Sequence, residues 1–312
     1  MNTMNSLNGQ GSGPVGLKRF QQYGPLLPAL GLVGLLYGGG LLLALAQSVG
    51  LYGLGEREFT LQGYGDLLWD AEVQGSLLLS LRIALLATGL ALVLGLGLAL
   101  LLRGLGGWAI WLGQLTLPIP HLVGVTGMLL LLGPSGWLAR LAFQLGWIAS
   151  DQDFPLWVND RGYVGVLLYW LWKEIPFAAL VALTLLRGMG SELEQQARLL
   201  GASATQTFWH VTLPLLRPGL LATGILIFGF VFSAFEVPLL LGPTYPRTLP
   251  VLIYQRFIHI NLEQRQQAVA LGVILLVISA AVVSWMAGLF AARGSLWQLP
   301  VVSAERSPGR RP

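Results

Sequence analysis

The side chains able to do chemistry are few in this chain, and most of the usual combinations are missing. There is no cysteine, which excludes thiolate metal sites, cysteine nucleophiles and disulfides. Of the 18 basic residues only Lys18 and Lys173 are lysine. Neither follows the Gly-x4-Gly-Lys-Ser/Thr pattern whose lysine reaches nucleotide phosphates, so this chain has no P-loop for ATP hydrolysis. Ser135, within Gly133-Pro134-Ser135-Gly136, and the downstream His259 are a serine and a base of the kind a hydrolase pairs. Both lie in loops, and the serine has turn-forming neighbours, so a turn is the better reading and an intramembrane serine protease the lesser one. What remains is Lys173-Glu174 beside Tyr169, Trp170 and Trp172, then Glu236, His121 and Arg82, and a polar stretch from Ser191 to Leu220.

The elements that must position these residues follow from composition. Apolar residues make up 54% of the 312 and charged residues only 10%, against roughly 25% charged in an average soluble protein. That excludes a soluble enzyme of ordinary make-up. Forty-one glycines and 11 tryptophans suit a membrane bundle, where glycine permits close helix contact and tryptophan sits at interfaces. A net charge of +4 is no nucleic-acid footprint. A helix needs about 20 mostly apolar residues to cross the hydrocarbon core. Six stretches qualify: Leu26 to Ser48, Leu77 to Leu102, Ile110 to Leu132, Tyr163 to Leu186, Leu220 to Leu241 and Ala268 to Phe290. Continuous runs predict an all-α polytopic protein and not a barrel, which would alternate apolar and polar residues.

The six-span region covers 25–290, between tails at 1–24 and 291–312. The first span is too long for a signal peptide and lacks a cleavage pattern. With the N-terminus inside, Lys18, Arg19, Arg103, Arg187, Arg198, Arg217, Arg293, Arg306, Arg310 and Arg311 fall on the cytoplasmic side. Arg57, Arg140, Arg161, Arg247, Arg256 and Arg265 fall outside. The bias predicts both termini in the cytoplasm. The outer segment 133–162 has room for a surface helix from Ser135 to Leu145.

An ionisable side chain at mid-membrane costs about 2.5 to 3.5 kcal/mol on insertion scales and needs a partner or water. Arg82, close to the start of its span, can snorkel. Lys173 and Glu174 sit near the midplane and, being adjacent, point about 100° apart on a helix. Each faces a different neighbour, or one lines a water-filled route. Tyr169, Trp170, Lys173, Glu174 and Glu236 are the candidate translocation path, a setting of carboxylates and aromatic faces suited to a small organic cation. The plainer reading makes the aromatics packing or interface residues. His121, after Pro118 and Pro120, is best read as satisfying a carbonyl freed where those prolines disrupt the helix.

The stretch from Ser191 to Leu220 is the most informative. Ser191 with Glu194 reads as a capping box starting a helix at Glu192. Leu193, Ala197 and Leu200 then share one stripe, ringed by Glu192, Glu194, Arg198 and His210. Gly201 supplies a left-handed stop. A second short helix, Ala204 to Val211, is expected to end before Pro214. Such an apolar ridge suits either a partner's groove or the lipid headgroups.

Here the chain resembles the integral subunits of binding-protein-dependent ABC importers, whose loop reads EAA-x3-G-x9-I-x-L-P. Gln195-Gln196-Ala197, Gly201, and Val211-x-Leu213-Pro214 keep that spacing. Gln195 stands where the family usually has Glu, with Glu194 beside it, and Val211 replaces Ile. The resemblance covers about 75–290, with the loop at 191–214. It implies a permease half that works by alternating access, with no cofactor on this chain and no catalytic or metal residue. ATP and Mg are implied on cytoplasmic ATPase subunits. The other implied partners are a second permease, the same or related, and an extracytoplasmic solute-binding protein. Residues 235 to 254, FEVPLLLGPTYPRTLPVLIY, are similar to the spermidine/putrescine-type group, though permeases for other small polar solutes share parts of them. An ion-coupled secondary transporter would need inverted repeats and paired broken helices, and neither is evident in the sequence.

Overall fold

The computed structural model describes residues 24–52, 59–105 and 115–294. All regular elements among them are helices. The expected tails at 1–24 and 291–312 lie almost wholly outside the described residues, although the last helix runs on to Gly294. The chain divides into two compact units, residues 1–61 and 62–312. The described part of the first is α1, Leu27–Ser48. It is loosened by a π turn at Gly34–Gly38, and a left-handed Gly50 follows it.

The second unit holds α2 (Gln62–Trp69), α3 (Ala71–Leu102), α4 (His121–Leu132), α5 (Trp137–Gln144), α6 (Val164–Gly188) and α7 (Glu192–Leu199). Then come α8 (Ala204–Ser233), α9 (Glu236–Leu241), α10 (Leu249–Phe257) and α11 (Leu262–Gly294). Six stretches are long and apolar enough to cross a membrane: α1, α3, the α4–α5 stretch His121–Gln144, α6, α8 and α11.

Spans two, three and five differ from the sequence expectation for local reasons, and span six starts at Leu262, six residues before Ala268. Span two begins at Ala71, a turn and a half before Leu77, because Asp70 caps it by accepting from the Glu72 N–H at 2.8 Å. Arg82 thus lies about three turns into α3, with its side chain exposed. Span three is not one helix from Ile110. Residues 110–114 lie outside the described residues, and 115–120 form turns. Pro118 and Pro120 supply no N–H for a helical ladder, and α4 starts directly after Pro120. The expected surface helix is α5, which buries Ala139 and Ala142 and leaves Trp137 and Leu145 exposed.

Span five is also interrupted. α8 ends at Ser233, Ala234 is extended, and α9 resumes at Glu236. Pro238 explains the break, since in a continuous helix its ring would strike the Ala234 carbonyl. Conversely, the second loop helix does not stop before Pro214. It passes through a π turn at Phe208–Thr212 into the span, and the shifted register accommodates the proline's missing N–H.

α3, α6 and α8 form the core. Ala84, Ala87 and Ala91 on α3 and Ala178 and Ala182 on α6 are fully buried, and such small side chains let two backbones approach closely. Gly95 completes the α3 series, with Ala178 and Ala179 of α6 directly opposite. Phe228 and Phe232 of α8 stack at 5.3 Å on this core. At the end where α3 begins, Arg256 of α10 bonds Asp70 at 2.9 Å and Glu72 at 3.3 Å, and Arg247 reaches Glu72 at 3.3 Å. Glu72, Arg247 and Arg256, with Gln255, His259 and Gln267, line a cleft of about 350 Å³.

Candidate coupling loop and buried polar cluster

The loop folds much as its residue types dictate, with one exchange of partners. α7 begins at Glu192 as expected, but Ser191 caps nothing with its side chain. Its Oγ instead accepts from Gln195 Nε2 at 2.9 Å. Glu194 turns toward the spans. Arg103 Nη1 lies 2.9 Å from both its carboxylate oxygens, and Thr212 Oγ1 donates at 2.8 Å. A capping box does exist one helix later, where Ser203 Oγ accepts from the Gln206 N–H and Gln206 Oε1 accepts from the Ser203 N–H.

Gly201 ends α7 in the left-handed region, at φ +89°. Its N–H reaches the Arg198 carbonyl at 3.0 Å, and the Ala202 N–H reaches Ala197 at 3.0 Å. That crossed pair is the Schellman stop. The apolar surface it presents is centred differently from the expected stripe. Leu199 and Leu200 stand 87% and 89% exposed, Leu193 is 47% exposed, and Ala197 is half-buried. Glu192, Gln195, Gln196, Arg198 and His210 are exposed, and Val211, Leu213 and Pro214 are half-buried at the foot of α8. Burial works against the charge on Glu194, but the hydrogen bonds from Arg103 and Thr212 outweigh it and hold its carboxyl below the usual carboxylate range. The anchor is therefore intact at neutral pH and is lost only as pH falls through that depressed value.

A second polar cluster lies inside the bundle. Lys173 Nζ donates to the carbonyls of Ile119 at 2.7 Å, Thr116 at 2.9 Å and Leu117 at 3.1 Å. Its charge is thus spent on the turn that precedes α4, whose carbonyls have no helical partners. Tyr169 OH lies 3.0 Å from His121 Nδ1 and 3.2 Å from the His121 carbonyl. The His121 ring packs 4.8 Å from Phe230, which meets Trp170 edge-on at 5.8 Å. Tyr169 and Trp170 are wholly buried, and Lys173 and Glu174 nearly so.

Among the described residues no hydrogen bond reaches the Glu174 carboxylate. Glu236, half-buried at the start of α9, is near enough to act electrostatically on His121 and Tyr169. The structure thus gathers Tyr169, Trp170, Lys173, Glu174 and Glu236 around two interrupted spans, although no interruption was expected in span five. The carbonyls that Lys173 serves, and the Arg103 and Thr212 partners of Glu194, escaped the sequence reading. Ser135 lies in the turn between α4 and α5, while His259 Nδ1 accepts from the Asn261 N–H, and no hydrogen bond joins them. Among the described residues no His, Asp and Glu cluster could hold a metal ion.

A multi-pass helical bundle with a short amphipathic helix outside its spans is an architecture that membrane transport subunits share with other proteins. Residues 91–295 match the family described as binding-protein-dependent transport system inner membrane component, and the chain belongs to that family. Over 202 residues it is 34% identical to the thiamine transport system permease protein ThiP of Haemophilus influenzae. The match takes in 61% of this chain but only 36% of that protein. It is 31% identical to the sulfate transport system permease protein CysW of Synechocystis sp., over 67% of this chain and 75% of that one. It is 28% identical to the putrescine transport system permease protein PotI of Escherichia coli, over 61% and 64%. A bacterial ABC transporter for import of the acidic polysaccharide alginate shares the fold, with TM-score 0.68, 18% identity, and coverage of 88% of this chain and 96% of that one. These relatives are transport components, not enzymes.

Proposed function

We propose that this chain is one permease half of an ABC importer and that residues 191–214 are its coupling element. The carrying observation is the loop itself: the spacing from Gln195 to Pro214 folds into an exposed helix, stopped by left-handed Gly201, with Leu199 and Leu200 projecting. An apolar tip on a short helix is a groove-docking surface, and the occupied groove is that of a cytoplasmic ATPase subunit bearing ATP and Mg. A complete transporter then has two permease halves, two ATPase subunits and an extracytoplasmic binding protein. The test is purification of the chain from membranes with its ATPase, followed by uptake in vesicles. A chain that holds no ATPase is not this kind of subunit.

The basic-residue bias supports both termini in the cytoplasm. A reporter fused after Arg311 is expected to read cytoplasmic and one inserted near Pro155 extracytoplasmic. Both on one side of the membrane would mean an odd number of spans between them has been miscounted.

We propose a small polar solute as the substrate, a polyamine-like cation or another of that class. Backbone carbonyls engage Lys173, while the Glu174 and Glu236 carboxyls stand beside aromatic faces, and both kinds of group can meet a cation. Glu174→Gln is expected to cut uptake about tenfold or more with the complex intact, the loss of one charge-assisted contact. Unchanged kinetics would make Glu174 a structural residue.

A further inference from the structure

How the loop could move the spans is a question of stiffness. α7 contains no fully buried residue, so packing carries little load from it. Its chain links are Gly190 and Gly201, both left-handed, at φ +69° and +89°, with open space where a side chain would be. Glycines so placed make compliant joints. The firm connection is Glu194, the α7 carboxylate that turns inward.

Its two partners sit at the feet of two different spans. Arg103 directly follows the last residue of α3, and its own N–H still bonds the Ala99 carbonyl at 2.9 Å, so it moves with that helix. Thr212 is buried in the π turn at the base of α8. Both α3 and α8 pack on α6, which carries Lys173 and Glu174. A charge-assisted bond in a half-buried site is shorter and stiffer than a neutral one.

We propose that Glu194 is the positioning residue that transmits displacement of α7 to spans two and five, through Arg103 and Thr212. This rests on the docking of the loop on an ATPase, but assigns a separate role. Leu199 and Leu200 hold the partner, and Glu194 passes its motion on.

The experiment is a double-mutant cycle of Arg103→Ala and Glu194→Ala in the purified permease–ATPase complex, measuring ATPase retention and solute taken up per ATP hydrolysed. Each single variant should retain the ATPase as wild type does and lose up to about tenfold in uptake per ATP, Glu194→Ala the more because it also frees Thr212, and the double variant should lose no more than Glu194→Ala, in which the Arg103 link is already cut. Normal uptake by Glu194→Ala would overturn the proposal. So would additive losses approaching a hundredfold, which place the two residues in independent roles. Loss of the ATPase from Glu194→Ala would also overturn it, by making Glu194 a docking residue. Failure of the wild-type chain to hold any ATPase would remove the docking reading itself, a result the variants cannot mimic.

Discussion

Gly201→Val is expected to leave the chain in the membrane at normal levels while stripping it of its ATPase. A Cβ at Gly201 would meet nothing within 4 Å, so the effect cannot come from a clash. It comes from the backbone, because φ is +89° there and a side chain in the left-handed region costs roughly 1–2 kcal/mol, more when β-branched. α7 has eight residues and none is fully buried, so it has little packing to offset that cost. The two crossed hydrogen bonds from Gly201 and Ala202 open, and Leu199 and Leu200 no longer project together. The spans lie elsewhere and should insert as before. Co-purification of the ATPase with each variant is the measurement, and Gly201→Asn, which tolerates the left-handed region, should retain far more partner than valine does. A valine variant that keeps its ATPase and its uptake would show that the loop is not the coupling element.

Gly95→Val should be the most damaging substitution within the bundle. A Cβ there would lie 2.6 Å from Ala178 Cβ, 3.0 Å from the Ala179 nitrogen and 3.1 Å from the Ile175 carbonyl oxygen. None of these atoms can swing aside, since each is backbone or attached directly to it. Overpacking ordinarily costs about 1–3 kcal/mol, and here relief requires moving α3 off α6 along a face where Ala84, Ala87 and Ala91 are also fully buried. Gly219→Ala is the control. Its Cβ would run into Leu185 Cδ1, yet that is the end of a flexible side chain that can change rotamer. Thermal unfolding in detergent should show a large drop for Gly95→Val and a small one for Gly219→Ala. Equal stabilities would mean that α3 and α6 do not meet this closely.

The spans were legible because lipid demands long apolar helices, and hydropathy reads that demand directly. Their interruptions were less so. Pro238 lies inside an apolar run, and hydropathy passes over a proline that backbone sterics cannot. In the loop, the position of Gly201 was clear from local conformational preference alone. The partner of Glu194 was not, because Ser191-x-x-Glu194 satisfies the local rule for a capping box. A guanidinium 91 residues earlier offers a charged bond to both carboxylate oxygens, and that outcompetes a single cap. Lys173 and Glu174 read as a pair at one depth, yet the carbonyls that engage Lys173 belong to a turn whose position only the packed bundle defines. Spacing located the chemistry, and tertiary contacts decided which groups meet.

The turn before α4 also has a history in time. Its carbonyls at Thr116, Leu117 and Ile119 find their donor in Lys173, 54 to 57 residues further along the chain. A growing chain emerges N-terminus first, so span three is complete as a length of apolar sequence well before its backbone can be satisfied. Until Lys173 arrives, those carbonyls must keep water or some other donor, for the hydrocarbon supplies none. Spans three and four are therefore expected to enter the bilayer as a hairpin, which would make the lysine a condition on the order of biogenesis as well as a contact in the finished fold.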